Sequence, residues 1–182
     1  MKGILSFFWE LFKTVFLALV IVLPIRFFVF EPFVVKGASM EPNFYQGDYL
    51  IIDKLSFHFR EPKRGEVIVL RYPLNPKQRF IKRIVALPGE EIAIEGGKVK
   101  VNGKILDESK YLPNFVETPG DLEVSLSQNQ YFVLGDNRSA SFDSRQWGPL
   151  QKKEIIGRVL LDFRLKPSFP FLVVQKIPLP VY

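Results

Sequence analysis

The run EIAIEGGKVKVNGKIL, Glu91 to Leu106, alternates apolar and polar residues about a Gly96-Gly97 step and then meets an Asn102-Gly103 step. Alternation with a period of two gives a strand one apolar and one polar face. Gly-Gly and Asn-Gly are the pairs that tolerate the left-handed backbone of a tight hairpin turn. Three short strands in succession, a β-meander, follow from this stretch. Working outward, DYLIIDKL (48–55), GEVIVLRY (65–72), RFIKRIVAL (79–87), NQYFVLGD (129–136) and IIGRVLLDFRL (155–165) are rich in Val, Ile, Phe and Tyr. Most are bounded by Gly, Pro, Asn or Asp, so they too read as strands. Residues 106–130 are polar, contain Pro113, Pro119 and Gly120, and read as a long surface excursion. No repeat of fixed period is present.

The N-terminal part is of another kind. Ile4 to Val29 is dominated by Phe, Leu, Ile and Val, interrupted by Glu10, Lys13 and Arg26. A membrane-crossing helix needs about 20 mostly apolar residues, and this stretch reaches that length with Lys13 snorkelling to an interface beside Glu10. Pro24 falls in its last turns. A cleavable leader fits less well, because the apolar region is too long and Glu31 to Lys36 separate it from the small residues Gly37 and Ser39. Residues 1–30 therefore read as a membrane anchor and 31–182 as one β-rich domain. Lys2 and Lys13 on one flank against Arg26 and Lys36 on the other leave the orientation open.

A chain of 182 residues has room for one such segment and one domain with a real core. The charge of +6, from 25 basic and 19 acidic residues scattered along the chain, fits an anionic membrane surface better than nucleic acid. With no cysteine there are no disulfides and no thiolate metal sites. His58 is the only histidine, and no motif surrounds it, so it reads as a surface or strand-edge residue rather than a catalytic base.

A Cys/His pair is impossible and a Ser-His-Asp triad would have to use that one ring; a serine with a lysine is the other nucleophile and base on offer. Ser39 lies in GASMEP just beyond the anchor, flanked by Gly37 and Ala38, whose small side chains let another backbone approach. Alone, such a turn is ordinary; at a membrane exit it suits attack on a membrane-tethered chain. Phe33 and Val35 alternate upstream and could line an extended substrate. Lys82 lies in RFIKRIV, where Phe80, Lys82 and Ile84 share one strand face and Ile81, Arg83 and Val85 the other. Solvated, Lys82 would be an ordinary strand-edge lysine. Buried, it would lose proton affinity from about 10.4 toward roughly 7 to 8 and become a usable base.

The block GDNRSASFDSRQWG, 135–148, has the density of Gly, Asp, Asn and Ser of a rigid loop. Asp136, Asn137 and Asp143 lack the ligand spacing of an EF-hand, so no metal is expected. Ser141 offers a hydroxyl to hold a neutral lysine amine, and Asp143 with Arg145 offers an ion pair to fix the loop.

Together these blocks resemble bacterial type I signal peptidases, the leader peptidases of the Ser-Lys dyad class. EPFVVKGASMEPNF resembles the nucleophile box, QGDYLIIDKL and RGEVIVLRYP the strands after it, FIKRIVALPGE the lysine box and GDNRSASFDSRQWG the closing box. Four boxes in order, from the anchor to about Gly157, make the resemblance specific. It implies a mainly β fold, a twisted antiparallel sheet domain carried by one N-terminal transmembrane helix. It further implies a serine endopeptidase of the cytoplasmic membrane, N-terminus inside and catalytic domain on the outer face, that cuts signal peptides from exported preproteins. In that reading Ser39 is the nucleophile, Lys82 the general base, Ser141 orients the amine, and Asp143 and Arg145 support the site. The partners are signal peptides delivered by the export machinery and membrane lipid, with no nucleic acid, and the chemistry needs no cofactor.

The family cuts after small residues, and Phe33, Val35, Met40, Phe80 and Ile81 are the expected pocket residues. Gly37 stands where many members carry a hydroxyl that contributes to the oxyanion hole, which leaves that hole chiefly to the Ser39 N–H. Lys36 replaces a usual proline, Ala38 a glycine, Asn43 a threonine and Ser139-Ala140 an Asp-Asn pair; none of these removes a proposed catalytic atom. The apolar tail Phe169–Tyr182, broken by Pro170, Pro178 and Pro180, is short for a bilayer span and either packs on the domain or touches lipid.

Overall fold

A computed structural model describes residues 2–24, 29–165 and 172–176; Arg26 and most of the Phe169–Tyr182 tail lie outside them. Helix α1 runs Lys2–Pro24. Within it Ser6–Pro24 has mean hydropathy 2.0 over 19 residues, and none of that window is buried against the protein. Its length and composition suffice to cross a bilayer. The two charges inside it pair one turn apart, Lys13 Nζ donating to Glu10 Oε1 at 2.7 Å.

Among the described residues twelve strands follow, paired antiparallel throughout, so the mainly β expectation holds. They are β1 Phe30–Val34, β2 Tyr49–Asp53, β3 Val67–Tyr72, β4 Asn75–Ala86, β5 Glu91–Glu95 and β6 Lys98–Val101. Then come β7 Lys104–Ile105, β8 Leu122–Ser125, β9 Gln130–Leu134, β10 Leu150–Gln151, β11 Ile155–Leu165 and β12 Leu172–Lys176. Among the described residues two single-turn α-helices, α2 Ser56–Phe59 and α3 Ser144–Trp147, sit between them. The large sheet has the order β1-β2-β11-β3-β4-β9-β10, with β12 beside β11, and the small one β7-β6-β5-β8.

The meander of residues 91–106 is β5, β6 and β7. Gly96 and Gly97 have φ of 55° and 73°, and Asn102 and Gly103 of 50° and 74°. Two successive positive φ values are what a two-residue turn needs to follow the twist of its strands, and only such residues take them cheaply. Ile92, Ile94, Val99 and Val101 then face Val85, Ala86, Phe132 and Leu134 of the large sheet and fasten the two sheets together. A second cluster, Val35, Met40, Phe44, Leu50, Ile52, Val67, Val69, Ile81 and Val159, fills the space under β1. Each fully buried aliphatic side chain there stabilises the fold by roughly 1.5–3 kcal/mol.

The stretch 106–130 is not a simple surface excursion. Leu122–Ser125 pairs with β5, and Leu112, Thr118 and Leu126 are buried. Most of the stretch is exposed, as a surface excursion requires, but a few of its polar residues turn inward: Arg138 donates to Glu108 and to Thr118 Oγ1, and Tyr111 lies under Arg83 with guanidinium carbon and ring centroid 4.1 Å apart. A small polar network of Glu108, Tyr111 and Thr118 thus lies beneath a mostly exposed stretch. His58 is exposed on α2, its Nδ1 3.1 Å from the Lys54 carbonyl, on the surface but in a helical turn and not at a strand edge.

Candidate active site

Two strand edges face each other in the large sheet. Among the described residues β1 ends the sheet and pairs only with β2. β4 gains β9 only from Arg83 onward, so its part before Lys82 has one edge without a strand partner. Between them lies a cleft of about 570 Å³ lined by Pro32, Phe33 and Val34 from β1 and by Lys77 to Lys82 from β4, with Lys36 and Ser39 at its end. An ion pair from Arg79 to Glu31 joins the two walls, and Lys54 Nζ approaches the same carboxylate at 3.2 Å.

Ser39 reaches this cleft because its turn is bolted down from below. Asn43 N and Phe44 N both donate to the Met40 carbonyl, closing a helical turn that buries Met40 and Phe44. From the other side Asn137 N donates to the Ser39 carbonyl and Asn137 Nδ2 to that of Ala38, both at 3.1 Å. Gly135 makes the approach possible: a Cβ there would stand 2.4 Å from the Ser39 carbonyl oxygen and 2.2 Å from Ser141 Oγ.

Lys82 points inward, as the functional reading of RFIKRIV requires, and is 3% exposed. Its Nζ donates to Ser39 Oγ at 2.8 Å and to the Ile81 carbonyl at 3.0 Å. Burial lowers its pKa from the ordinary 10.5 to about 8; the Asp143 and Asp136 charges push the other way, and Arg145 adds to the lowering. An amine tuned in this way is about half neutral at pH 8 and about a tenth neutral at pH 7, where a solvated lysine is almost wholly charged.

Asp143 is fully buried and fixes the loop that follows β9. Its carboxylate caps α3, accepts from Gly135 N at 3.0 Å and takes Arg145 Nε and Nη2 at 2.8 Å each. Arg145 Nη2 also reaches the Ser141 carbonyl at 3.3 Å. The expected bond between Ser141 and the lysine amine is not formed. Ser141 Oγ is buried and has no hydrogen-bond partner, while the amine is engaged by Ser39 and Ile81.

The pocket expectations divide. Phe33, Phe80 and Ile81 line the cleft; Val35 and Met40 do not, being 1% and 0% exposed in the core beneath it. Backbone bonds from Val35 N to Asp48 O and from Gly47 N to Val35 O draw the chain inward at that point, and the Met40 turn packs under it. Gly37 has φ of 82° with nothing within 4 Å of where a Cβ would be.

One group was not anticipated. Asp136, read above only as a poor metal ligand, takes Arg83 Nε at 2.8 Å and Nη2 at 2.6 Å, and accepts from Asn43 Nδ2 at 2.8 Å. Arg83 adjoins Lys82 in the later part of β4, where Ile81, Ile84, Val85 and Ala86 are buried, and a buried guanidinium demands a carboxylate. That was the available signal.

The family model for signal peptidase, peptidase S26, matches residues 8–163. The chain belongs to this family. Among curated S26 relatives, a probable signal peptidase I-2 of Synechocystis is 40% identical over 162 residues, covering 85% of this chain and 72% of its own. Signal peptidase I of Leptolyngbya laminosa is 38% identical over 161 residues, covering 83% and 77%. A solved signal peptidase I from Enterococcus faecalis is 28% identical, with a TM-score of 0.47 over 54% of this chain and 97% of that one. Signal peptidases of the S26 family remove signal peptides, and this chain is an S26 peptidase.

Proposed function

We propose that the chain is a membrane-bound serine endopeptidase that releases exported preproteins from their signal peptides, with Ser39 as nucleophile and Lys82 as general base. The observation that carries this reading is the buried amine, 2.8 Å from the Ser39 hydroxyl and with a pKa lowered to about 8. In the neutral form the contact reverses, Ser39 Oγ–H donating to the lone pair of Nζ. The amine takes that proton as Oγ attacks the scissile carbonyl, and the Ser39 backbone N–H faces the developing oxyanion. Collapse of the tetrahedral adduct breaks the C–N bond, and the ammonium of Lys82 returns its proton to the leaving amine. Water, deprotonated by the same amine, then hydrolyses the acyl ester.

The substrate lies extended between the free edges of β1 and β4, where unpaired backbone groups hold a third strand without regard to its sequence. Phe33, Phe80 and Ile81 form the walls that accept small residues at the first and third positions before the cut; larger side chains collide with them. Asp143 and Arg145 hold the loop that presses on Ser39, and Ser141 supplies a hydroxyl to the amine as it gains charge. Helix α1 anchors the chain in the cytoplasmic membrane, N-terminus inside, which keeps the cleft near a substrate that is itself held in the bilayer.

The test is cleavage of a preprotein by purified, detergent-solubilised protein. Ser39→Ala and Lys82→Met each abolish cleavage in this reading; retained turnover in either variant removes the dyad.

A further inference from the structure

Lys36 follows β1 by two residues, precedes Ser39 by three, and lines the same cleft as Ser39 and Lys82. Its side chain is exposed and, among the described residues, makes no ion pair. The cleft-lining residues include Lys36, Lys77, Arg79 and Lys82 but no Asp or Glu. Glu31, the carboxylate at the rim, is already held by Arg79 and Lys54, and Glu41 is not part of the lining. Gly37, next to Lys36 in sequence, adds no side chain there, and nothing else stands within 4 Å of its absent Cβ. A concave site of one charge sign concentrates the opposite sign at its floor.

We infer that Lys36 is a specificity-determining residue that favours substrates carrying Asp or Glu within two residues of the scissile bond. The inference rests on the reading that Ser39 is the nucleophile, because that places the scissile carbonyl in the cleft that Lys36 also lines. An extended substrate rises about 3.3 Å per residue, so only the residues immediately flanking the bond come within reach of this ammonium. Lys77 is five positions before Lys82 on β4, roughly 16 Å along the strand and beyond the screening length of about 8–10 Å at ordinary salt. Lys77 therefore contributes little at the bond itself. An exposed ion pair changes kcat/KM by about two- to fivefold.

The experiment uses the full-length protein in detergent and peptides identical but for Asp, Asn or Lys placed in turn at the second position before the cut and the first two after it. Each enzyme is scored by its own ratio of kcat/KM for the Asp peptide over the Asn peptide. We expect a ratio of about two to five at one or more of these positions in the natural protein, near one in Lys36→Gln, below one in Lys36→Glu, and little changed in Lys77→Gln. Raising the salt to 1 M should bring the natural protein's ratio toward one. A ratio near one in the natural protein, or one unaltered in Lys36→Gln, overturns the inference while the Asn peptide is still cut and the proposed activity stands. No cleavage of any peptide by the natural protein overturns the activity and the inference with it.

Discussion

Arg83 and Asp136 meet in a two-point ion pair, Nε to Oδ1 at 2.8 Å and Nη2 to Oδ2 at 2.6 Å, with both side chains buried. The pair joins the strand that carries Lys82 to the loop that presses on Ser39, and Asn43 brings the nucleophile turn to the same carboxylate. Removing one member leaves the other charged in a dry site. Asp136→Asn should therefore cost roughly 3–5 kcal/mol of stability, read as a lowered unfolding midpoint in detergent. Replacing both members, as Arg83→Met with Asp136→Leu, should cost less than the sum of the single changes; simple additivity would show the pair is not coupled.

Gly135→Ala tests how closely the loop and the nucleophile turn must approach. The new methyl would meet the Ser39 carbonyl oxygen, which is backbone, and Ser141 Oγ at once, so the turn must move. A displacement of about 1 Å is enough to lower turnover on the order of 100-fold. Circular dichroism should remain unchanged while cleavage falls; undiminished cleavage would mean that the contact is slack.

Ser141→Ala separates folding from turnover. The Ser141 hydroxyl is buried without a partner, a state that costs about 1–3 kcal/mol, so its removal should leave the protein as stable or more stable. Turnover should fall, less completely than for Lys82→Met, if the hydroxyl meets the amine only as it gains charge, a contact absent from the resting site. Unchanged turnover would argue against that role.

Lys82→Met should stabilise the fold. The folded-state pKa of about 8 lies below the ordinary 10.5, so between these values the unfolded chain holds a proton that the folded chain has released. Stability from this site therefore rises with pH across that window, and below pH 8 the burial penalty of about 3 kcal/mol is present in full. The methionine variant should unfold at a higher midpoint than the natural protein at pH 7, with a gain that shrinks toward pH 10.5. A gain that grows with pH, or none at pH 7, would show that Lys82 carries no such penalty.

Local patterning made much of this fold legible. Period-two alternation and the Gly-Gly and Asn-Gly pairs located β5 to β7, and the uninterrupted apolar run located α1. Ser39 and Lys82, 43 positions apart, stand out through the ordered boxes that resemble signal peptidases; the lack of cysteine and the single histidine remove rival pairs but do not pick these two among many serines and lysines. Long-range polar pairing was not legible. Glu108 with Arg138 and Asp136 with Arg83 are partners brought together by sheet topology, and in sequence each resembles a solvated loop charge. Val35 and Met40 were placed in the cleft because apolar residues near a nucleophile look alike whether they line a pocket or lie beneath it.

The central claim is that a lysine amine, neutral near pH 8, removes the proton of Ser39. The most direct test is the pH dependence of kcat/KM for a signal-peptide substrate, measured on the purified protein from pH 6 to 10. We predict a rate that rises tenfold per pH unit at low pH and levels off with an apparent pKa near 8, since the base works only when deprotonated. A rate flat across this range, or one still rising through pH 10 as an ordinary lysine would give, contradicts the account.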